Sequence, residues 1–264
     1  MIKIISGWSN PGGSTTAFIN LCNLFNENGY DCTFYGPHDW HLDKCKSGTF
    51  QDINLKKKDV LIYHFLDIFK TRPPVKKFVL SLHEKDLYNL NVKEHNMFDT
   101  IHFLNDKHIE WHGGKDQFKN YFISPNVVDI LMPSPKKDLK IGGVIGTVDY
   151  NKQTHISIER ALNDGCEQVH VYGNITDPSY YKTYMSKYES YKNVYFHGFT
   201  NDKQSVYDSV TDVYQDSLSE TWGYIKVECD LTNTNYHGNG SVNNNFVSMS
   251  NKEILEKWVR ELGL

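Results

Sequence analysis

Long apolar runs are missing from this 264-residue chain, and none approaches the ~20 residues that a membrane-spanning helix needs. The opening stretch from Met1 to Ser9 turns to glycine and polar residues too early for a secretion signal, so a soluble, cytoplasmic protein is expected. Cysteine is scarce: five residues, widely scattered and without a C-x-x-C pair, give neither a disulfide framework nor a zinc ribbon and read as reduced thiols. Basic excess is absent too. With 28 Lys and Arg against 32 Asp and Glu, a net charge of −4 and one dense basic run at Lys56–Lys58, nucleic acid is not an expected partner.

Several catalytic signatures are also lacking. No G-x-G-x-x-G follows the first apolar run and no G-x-x-x-x-G-K-[S/T] occurs, which removes support for hydride transfer and P-loop chemistry. His108 and His112 bracket a glutamate at the wrong position for H-E-x-x-H, and His38 with His41 has no evident third ligand. There is no Asp-x-Asp to hold a diphosphate through a cation. Neither a metal nor another cofactor is therefore expected.

What is present suits a packed core, with 39% hydrophobic and 14% aromatic residues. Ile2–Ser6 reads as a strand, Asn10–Thr16 as a glycine loop able to cradle an anion or to serve as a tight turn, and Ala17, Phe18, Leu21, Leu24 and Phe25 as one face of a helix stopped by Gly29. Further strands are expected at Cys32–Tyr35, Val60–Tyr63, Lys77–Leu82, Thr100–Leu104 and Tyr121–Ser124. The rhythm predicts a mostly parallel sheet between helices. Pro133–Asp138 interrupts it, giving a first domain over 1–133, a linker at 134–138 and a second domain over 139–264.

The second half restarts with strands at Ile141–Ile145, Val169–Tyr172, Val194–Phe196 and Val213–Gln215, a helix at Thr154–Asn163 and a tyrosine-rich helix near Tyr180–Tyr188. Thr232–Asn245, rich in Asn, Gly and Thr, is expected to be a loop. The terminal helix 251–263 opens with the capping-box pattern Ser250…Glu253 and either closes the second domain or packs back on the first.

Three glutamate pairs share a spacing of eight: Glu159 with Glu167, Glu220 with Glu228, and Glu253 with Glu261. The first and third fall on helical surfaces that need charge anyway. Glu220 instead follows the C-terminal end of an apolar run, where open α/β sheets place their ligand crevice, and Gly223 between the pair permits close backbone approach. Two carboxylates at a helix entrance can take sugar and ribose hydroxyls while first-turn N–H groups receive phosphate, so a nucleotide-sugar is the expected ligand. Against it stands a pair of surface glutamates beside a turn. His83, at the end of the run Phe78–Leu82, is a first-domain candidate, a generic strand-end histidine being the alternative.

Taken in order, these segments resemble the retaining glycosyltransferases of sequence family four. Gly12-Gly13 is similar to the family's N-terminal glycine loop, Ser81–Glu84 to its strand-end histidine motif, and Ser124–Asp129 to its Pro-Asn-Gly-Val-Asp segment. Val144–Lys152 resembles the Gly-Arg segment with its downstream lysine, Val194–Gly198 the Val-x-Phe-x-Gly strand, and Ser217–Glu228 the two-glutamate signature. Departures are Thr147 in the place of the arginine, Val127 for a glycine, Thr221-Trp222-Gly223 for Gly-Phe-Gly, and a short chain like the compact versions encoded by large algal viruses.

The resemblance implies two Rossmann-like α/β domains facing across a cleft, the GT-B fold, and transfer of a hexose with retention and without a metal. Catalytic residues would be Glu220, Lys152 and His83. Donor-binding residues would be Glu228 at the ribose, with Thr221, Trp222, Gly223, Thr147, Gly146, Tyr172 and Gly173; Gly12 and Gly13 would line the acceptor side. GDP-mannose leads on the family's habits, then UDP-sugars, with a glycan or glycoprotein acceptor and the host cytoplasm as location for a virus-encoded chain. A homodimer is left open. The alternatives are a nucleotide-sugar hydrolase or epimerase on the same fold and a non-catalytic carbohydrate-binding protein using the 17 tyrosines.

Overall fold

In a computed structural model, residues 1–64, 69–85, 95–240 and 249–264 are described. The chain forms two compact units, Met1–Asp129 with Asn245–Leu264, and Ile130–Asn244.

The first unit is built on seven parallel strands: β1 (Ile2–Ser6), β2 (Cys32–Gly36), β3 (Ser47–Thr49), β4 (Val60–His64), β5 (Lys77–Ser81), β6 (Thr100–Phe103) and β7 (Tyr121–Ile123). Their order is β3-β2-β1-β4-β5-β6-β7. Strands β1, β2 and β4 are buried at every position, as expected of central parallel strands covered on both faces. Helix α1 (Gly13–Glu27) buries Ala17, Phe18, Leu21, Leu24 and Phe25 against this sheet, so the sequence periodicity reports its inner face correctly. It ends at Gly29, whose φ of 83° is open to glycine at little cost. A short helix α2 (Asp106–Trp111), capped by the Asn105 side chain, follows β6.

The second unit has five parallel strands, β8 (Ile141–Ile145), β9 (Gln168–Tyr172), β10 (Val194–Gly198), β11 (Asp212–Gln215) and β12 (Asn235–Gly238), in the order β10-β9-β8-β11-β12. Its helices are α3 (Thr154–Asn163), the single turn α4 (Pro178–Tyr180) running on as π and 3-10 turns to Ser190, α5 (Lys203–Ser209) and α6 (Tyr224–Thr232). The expected loop at Thr232–Asn245 is therefore partly wrong. Asn235–Gly238 pairs in parallel with Asp212–Gln215 as an edge strand, and residues 241–248 lie outside those described.

Helix α7 (Asn251–Leu262) belongs with the first unit, where Ile254, Leu255, Trp258 and Leu262 join the core of β1, β2 and α1. Its capping box forms as the sequence indicates, Ser250 N–H donating to Glu253 at 2.7 Å. The units divide at Asp129/Ile130, four residues ahead of the proline-rich run. By Met132 the chain is tied to the second unit, its N–H donating to Gln204 Oε1 at 2.9 Å, and Ser134 N–H donates to Thr232 O at 2.8 Å. Among the described residues no helix is long and apolar enough to cross a membrane.

Candidate functional site in the second unit

Parallel strands point their C-terminal ends the same way, so the loops after β8, β9 and β11 gather at one edge of the sheet. After β8 the chain turns at Gly146 (φ 130°), and after β9 at Gly173 (φ 152°). The two glycines nearly touch: a Cβ on Gly173 would stand 1.7 Å from the Gly146 carbonyl oxygen. Gly146 N–H donates to Tyr172 O at 2.9 Å and Gly173 N–H to Gly198 O at 2.8 Å, which locks three strand ends together.

The loop from Gly146 to α3 is organised by Asp149. One carboxylate oxygen accepts from Thr147 Oγ1 at 2.6 Å and Thr176 Oγ1 at 3.1 Å, and the other accepts the Lys152 N–H at 2.8 Å. The Lys152 side chain is thereby presented beside the start of α3, and its ammonium donates to Glu220 Oε1. Gln215 Nε2 donates to the same oxygen at 2.8 Å. Gly146, Thr147, Lys152, Thr154, Gln215 and Ser217 line one pocket.

The Glu220 loop is fastened on both sides. Asp216, buried, accepts from Arg160 Nη1 at 2.5 Å and Ser157 Oγ at 3.1 Å, both from α3, while Leu218 N–H donates to Asn151 O at 2.8 Å. A charge-assisted contact of this kind holds a loop far better than a neutral one. Gly223 then opens α6 without a side-chain cap, and Trp222 packs edge-on to Tyr224 with centroids 4.7 Å apart.

Glu228 sits one turn into α6 and is 4% exposed. Both its oxygens are engaged by α5, Oε1 by Lys203 Nζ at 2.6 Å and Oε2 by the Tyr207 hydroxyl at 2.7 Å. Burial, and then the Glu228 charge, hold the Tyr207 phenol well above its ordinary range, so it stays a donor. Tyr172 is directed elsewhere: its hydroxyl pairs with Ser209 Oγ at 2.8 Å and its ring stacks on His197 at 4.5 Å.

The remaining candidates lie in the first unit. His83 follows β5 among Phe18 at 4.7 Å, His64 at 5.4 Å and His102 at 6.2 Å, and burial followed by those histidines holds it well below the usual imidazole range. Glu84 beside it accepts from His64 Nε2 at 2.9 Å, while Ser6 Oγ meets His64 Nδ1 at 2.8 Å. Gly12 precedes α1 in an extended conformation, and a Cβ there would come no nearer than 4.0 Å to Asn10 O, so neither strain nor crowding demands glycine. Gly13 is the first residue of α1.

Sequence reasoning missed Asp149, Arg160, Gln215, Asp216, Lys203 and Tyr207. Arg160 carried one usable signal, being the only arginine between Ile130 and Asn244. Among the described residues no three His, Cys, Asp or Glu side chains converge as a metal site.

No protein-family model and no curated protein matches the chain. Solved structures do match in three dimensions. HepE of Anabaena, solved in complex with UDP and glucose, superposes with a TM-score of 0.66 at 14% identity, covering 98% of this chain and 88% of that one. AviGT4, a glycosyltransferase involved in avilamycin A biosynthesis, gives 0.63 at 14% identity over 99% and 88%. The lipopolysaccharide outer core galactosyltransferase WaaB in its apo form gives 0.57 at 14% identity over 99% and 88%. The fold is GT-B. At such identities the likeness concerns fold alone, and in GT-B terms each unit is one Rossmann-like domain, with Lys152, Glu220 and Glu228 all in the second.

Proposed function

We propose that the protein is a glycosyltransferase that binds a nucleotide-diphosphate sugar in its second unit and passes the hexose, with retained configuration, to a glycan or glycoprotein acceptor. The observation that carries this reading is the Lys152 ammonium on the Glu220 carboxylate, beside Gly146 at the C-terminal ends of β8 and β11. Departure of the diphosphate builds negative charge on its oxygens and positive character at the sugar's anomeric carbon. Lys152 and the start of α3 would stabilise the first without a metal. Glu220 would hold sugar hydroxyls, Thr221–Gly223 would meet the phosphates, and Glu228 would take the ribose diol through lone pairs left by Lys203 and Tyr207. Retention is assigned to front-side transfer, in which orientation does more than a general base.

For the donor, the HepE complex with UDP-glucose supports testing UDP-sugars ahead of GDP-mannose. The acceptor-side candidates Gly12 and Gly13 and the catalytic candidate His83 belong to the first unit. The test is a calorimetric panel of UDP-, GDP-, ADP- and dTDP-sugars with and without a chelator. The reading requires at least one donor to bind, undiminished by chelator; no binding by any of them refutes it. Glu220→Gln should then abolish product formation while the nucleotide still binds, and loss of neither would favour a non-catalytic carbohydrate-binding protein.

A further inference from the structure

Beside the ionic contacts of Glu220 lies a neutral one that the transfer reading does not use. Gln215 ends β11 and is 4% exposed. A buried primary amide has two different faces, and only its NH2 can serve a carboxylate. Here Nε2 donates to Glu220 Oε1 at 2.8 Å, while Oε1 accepts the Tyr236 hydroxyl at 2.9 Å. The carboxylate, which can only accept, fixes which way the amide is turned, and the phenol anchors it there by donating to the carbonyl.

The edge strand is shaped for that bond. Val213 pairs with Tyr236 and Gln215 with Gly238, so Tyr236 and Gln215 occupy a diagonal on one face of the sheet. To reach along it the ring must cross position 238. A Cβ on Gly238 would stand 2.5 Å from the Tyr236 hydroxyl oxygen and 2.6 Å from Cε1, contacts no side chain can make. Gly238 lies in ordinary strand, so the need for glycine there is space for this ring.

We propose that Tyr236 and Gln215 are positioning residues for Glu220, setting the carboxylate that receives the donor sugar through the order Tyr236 hydroxyl, Gln215 amide, Glu220 Oε1. The inference rests on the donor-site reading above and names the part of it that selects sugar over bare nucleotide. Burial, first of all, and the nearby Glu220 charge push the Tyr236 phenol above its ordinary range, so it remains a donor throughout the working pH range. Without the hydroxyl the amide carbonyl is left buried without this partner, and the side chain loses the anchor that holds its NH2 against the carboxylate.

The experiment uses the full chain and two probes, UDP and UDP-glucose, with GDP and GDP-mannose as the parallel pair. Titration calorimetry compares wild type, Tyr236→Phe, Gly238→Ala, Gln215→Leu and the Tyr236→Phe/Gln215→Leu double variant, and each melting temperature is recorded. Tyr236→Phe should keep its affinity for the free nucleotide and lose about tenfold in affinity for the nucleotide-sugar. Gly238→Ala should reproduce this loss, and the double variant should be no worse than Gln215→Leu. Unchanged nucleotide-sugar affinity in Tyr236→Phe, parallel weakening of both probes, or a double variant that multiplies the single losses would each overturn the proposal while leaving the donor site standing. Wild type that binds neither nucleotide nor nucleotide-sugar would remove the donor site and the proposal together.

Discussion

Gly173→Ala offers the sharpest test of how the C-terminal edge of the second sheet is assembled. An alanine there must place its Cβ 1.7 Å from the Gly146 carbonyl oxygen and 2.6 Å from its carbon, both backbone atoms that no rotamer can move. The loops after β8 and β9 have to part by more than about 1 Å, which overpacked interiors resist at ~1–3 kcal/mol. Holding a non-glycine residue at φ 152° adds about 1–3 kcal/mol, and the Gly146–Tyr172 hydrogen bond, worth about 1 kcal/mol, stretches or breaks. A loss of at least ~3 kcal/mol is expected, confined to the second unit. Gly165→Ala is the control: φ is 81° but nothing described lies within 4 Å of its Cβ, so only the left-handed cost of about 1 kcal/mol applies. Because two units need not melt together, hydrogen exchange of peptides covering 141–147 and 168–175 should be followed alongside calorimetric melting. Gly173→Ala matching Gly165→Ala in exchange and in nucleotide binding would refute the close approach of the two loops.

The other expectations are simpler. Arg160→Met strands the buried Asp216 carboxylate with Ser157 and should cost about 2 kcal/mol in second-unit stability, while Asp216→Asn costs less; equal effects in chemical denaturation would contradict the pairing. In the first unit burial pulls His102 down to about 3 and His108 down to about 4, against ~6.5 when unfolded. Together with His83, which burial also holds well below its ordinary range, they contribute stability that is present above pH ~6.5 and is lost as pH falls toward 4, because the unfolded chain takes up protons that the fold refuses; each histidine adds about 1.4 kcal/mol per pH unit to the slope. His108→Asn should lower the slope by about 1.4 kcal/mol per pH unit in denaturation at stepped pH, and an unaltered slope would sink the assignment.

Much of the architecture was legible because central parallel strands must be apolar on both faces. Ile2–Ser6 and Ile141–Ile145 appear with the boundaries their sequence indicates, as does the helix Thr154–Asn163. Two of the four edge strands, β3 and β12, escaped notice for the converse reason, while β7 and β10 were apolar enough to be seen. Ser47–Thr49 and Asn235–Gly238 are strands flanked on one side only, so nothing obliges Ser-Gly-Thr or Asn-Tyr-His-Gly to look like a buried run. Short helices such as Lys203–Ser209, which buries only Val206 and Tyr207, leave too little periodicity to detect.

The site divides along a different line. Position after an apolar run, not spacing, singled out Glu220 and Glu228, but a carboxylate's behaviour is set by partners, and these come from 68 residues away in Lys152 and 21 in Tyr207. Thr147 shows what distance in sequence hides. Where the resemblance leads one to expect an arginine, the threonine contributes no charge; its hydroxyl goes to Asp149, and Asp149 in turn receives the Lys152 N–H. The position thus orders the loop that carries the cation instead of adding a second one. In the proposed reading, an ammonium on Glu220 would answer for a diphosphate only if held where the charge develops, since preorganised charge stabilises a transition state more than mobile charge of the same sign. Asp149, Thr147 and Thr176 hold the loop from one side and Asn151 O, through Leu218 N–H, from the other. The lysine is thus anchored through its own loop, and the anchoring residues form no spacing pattern by which a sequence reader would find them.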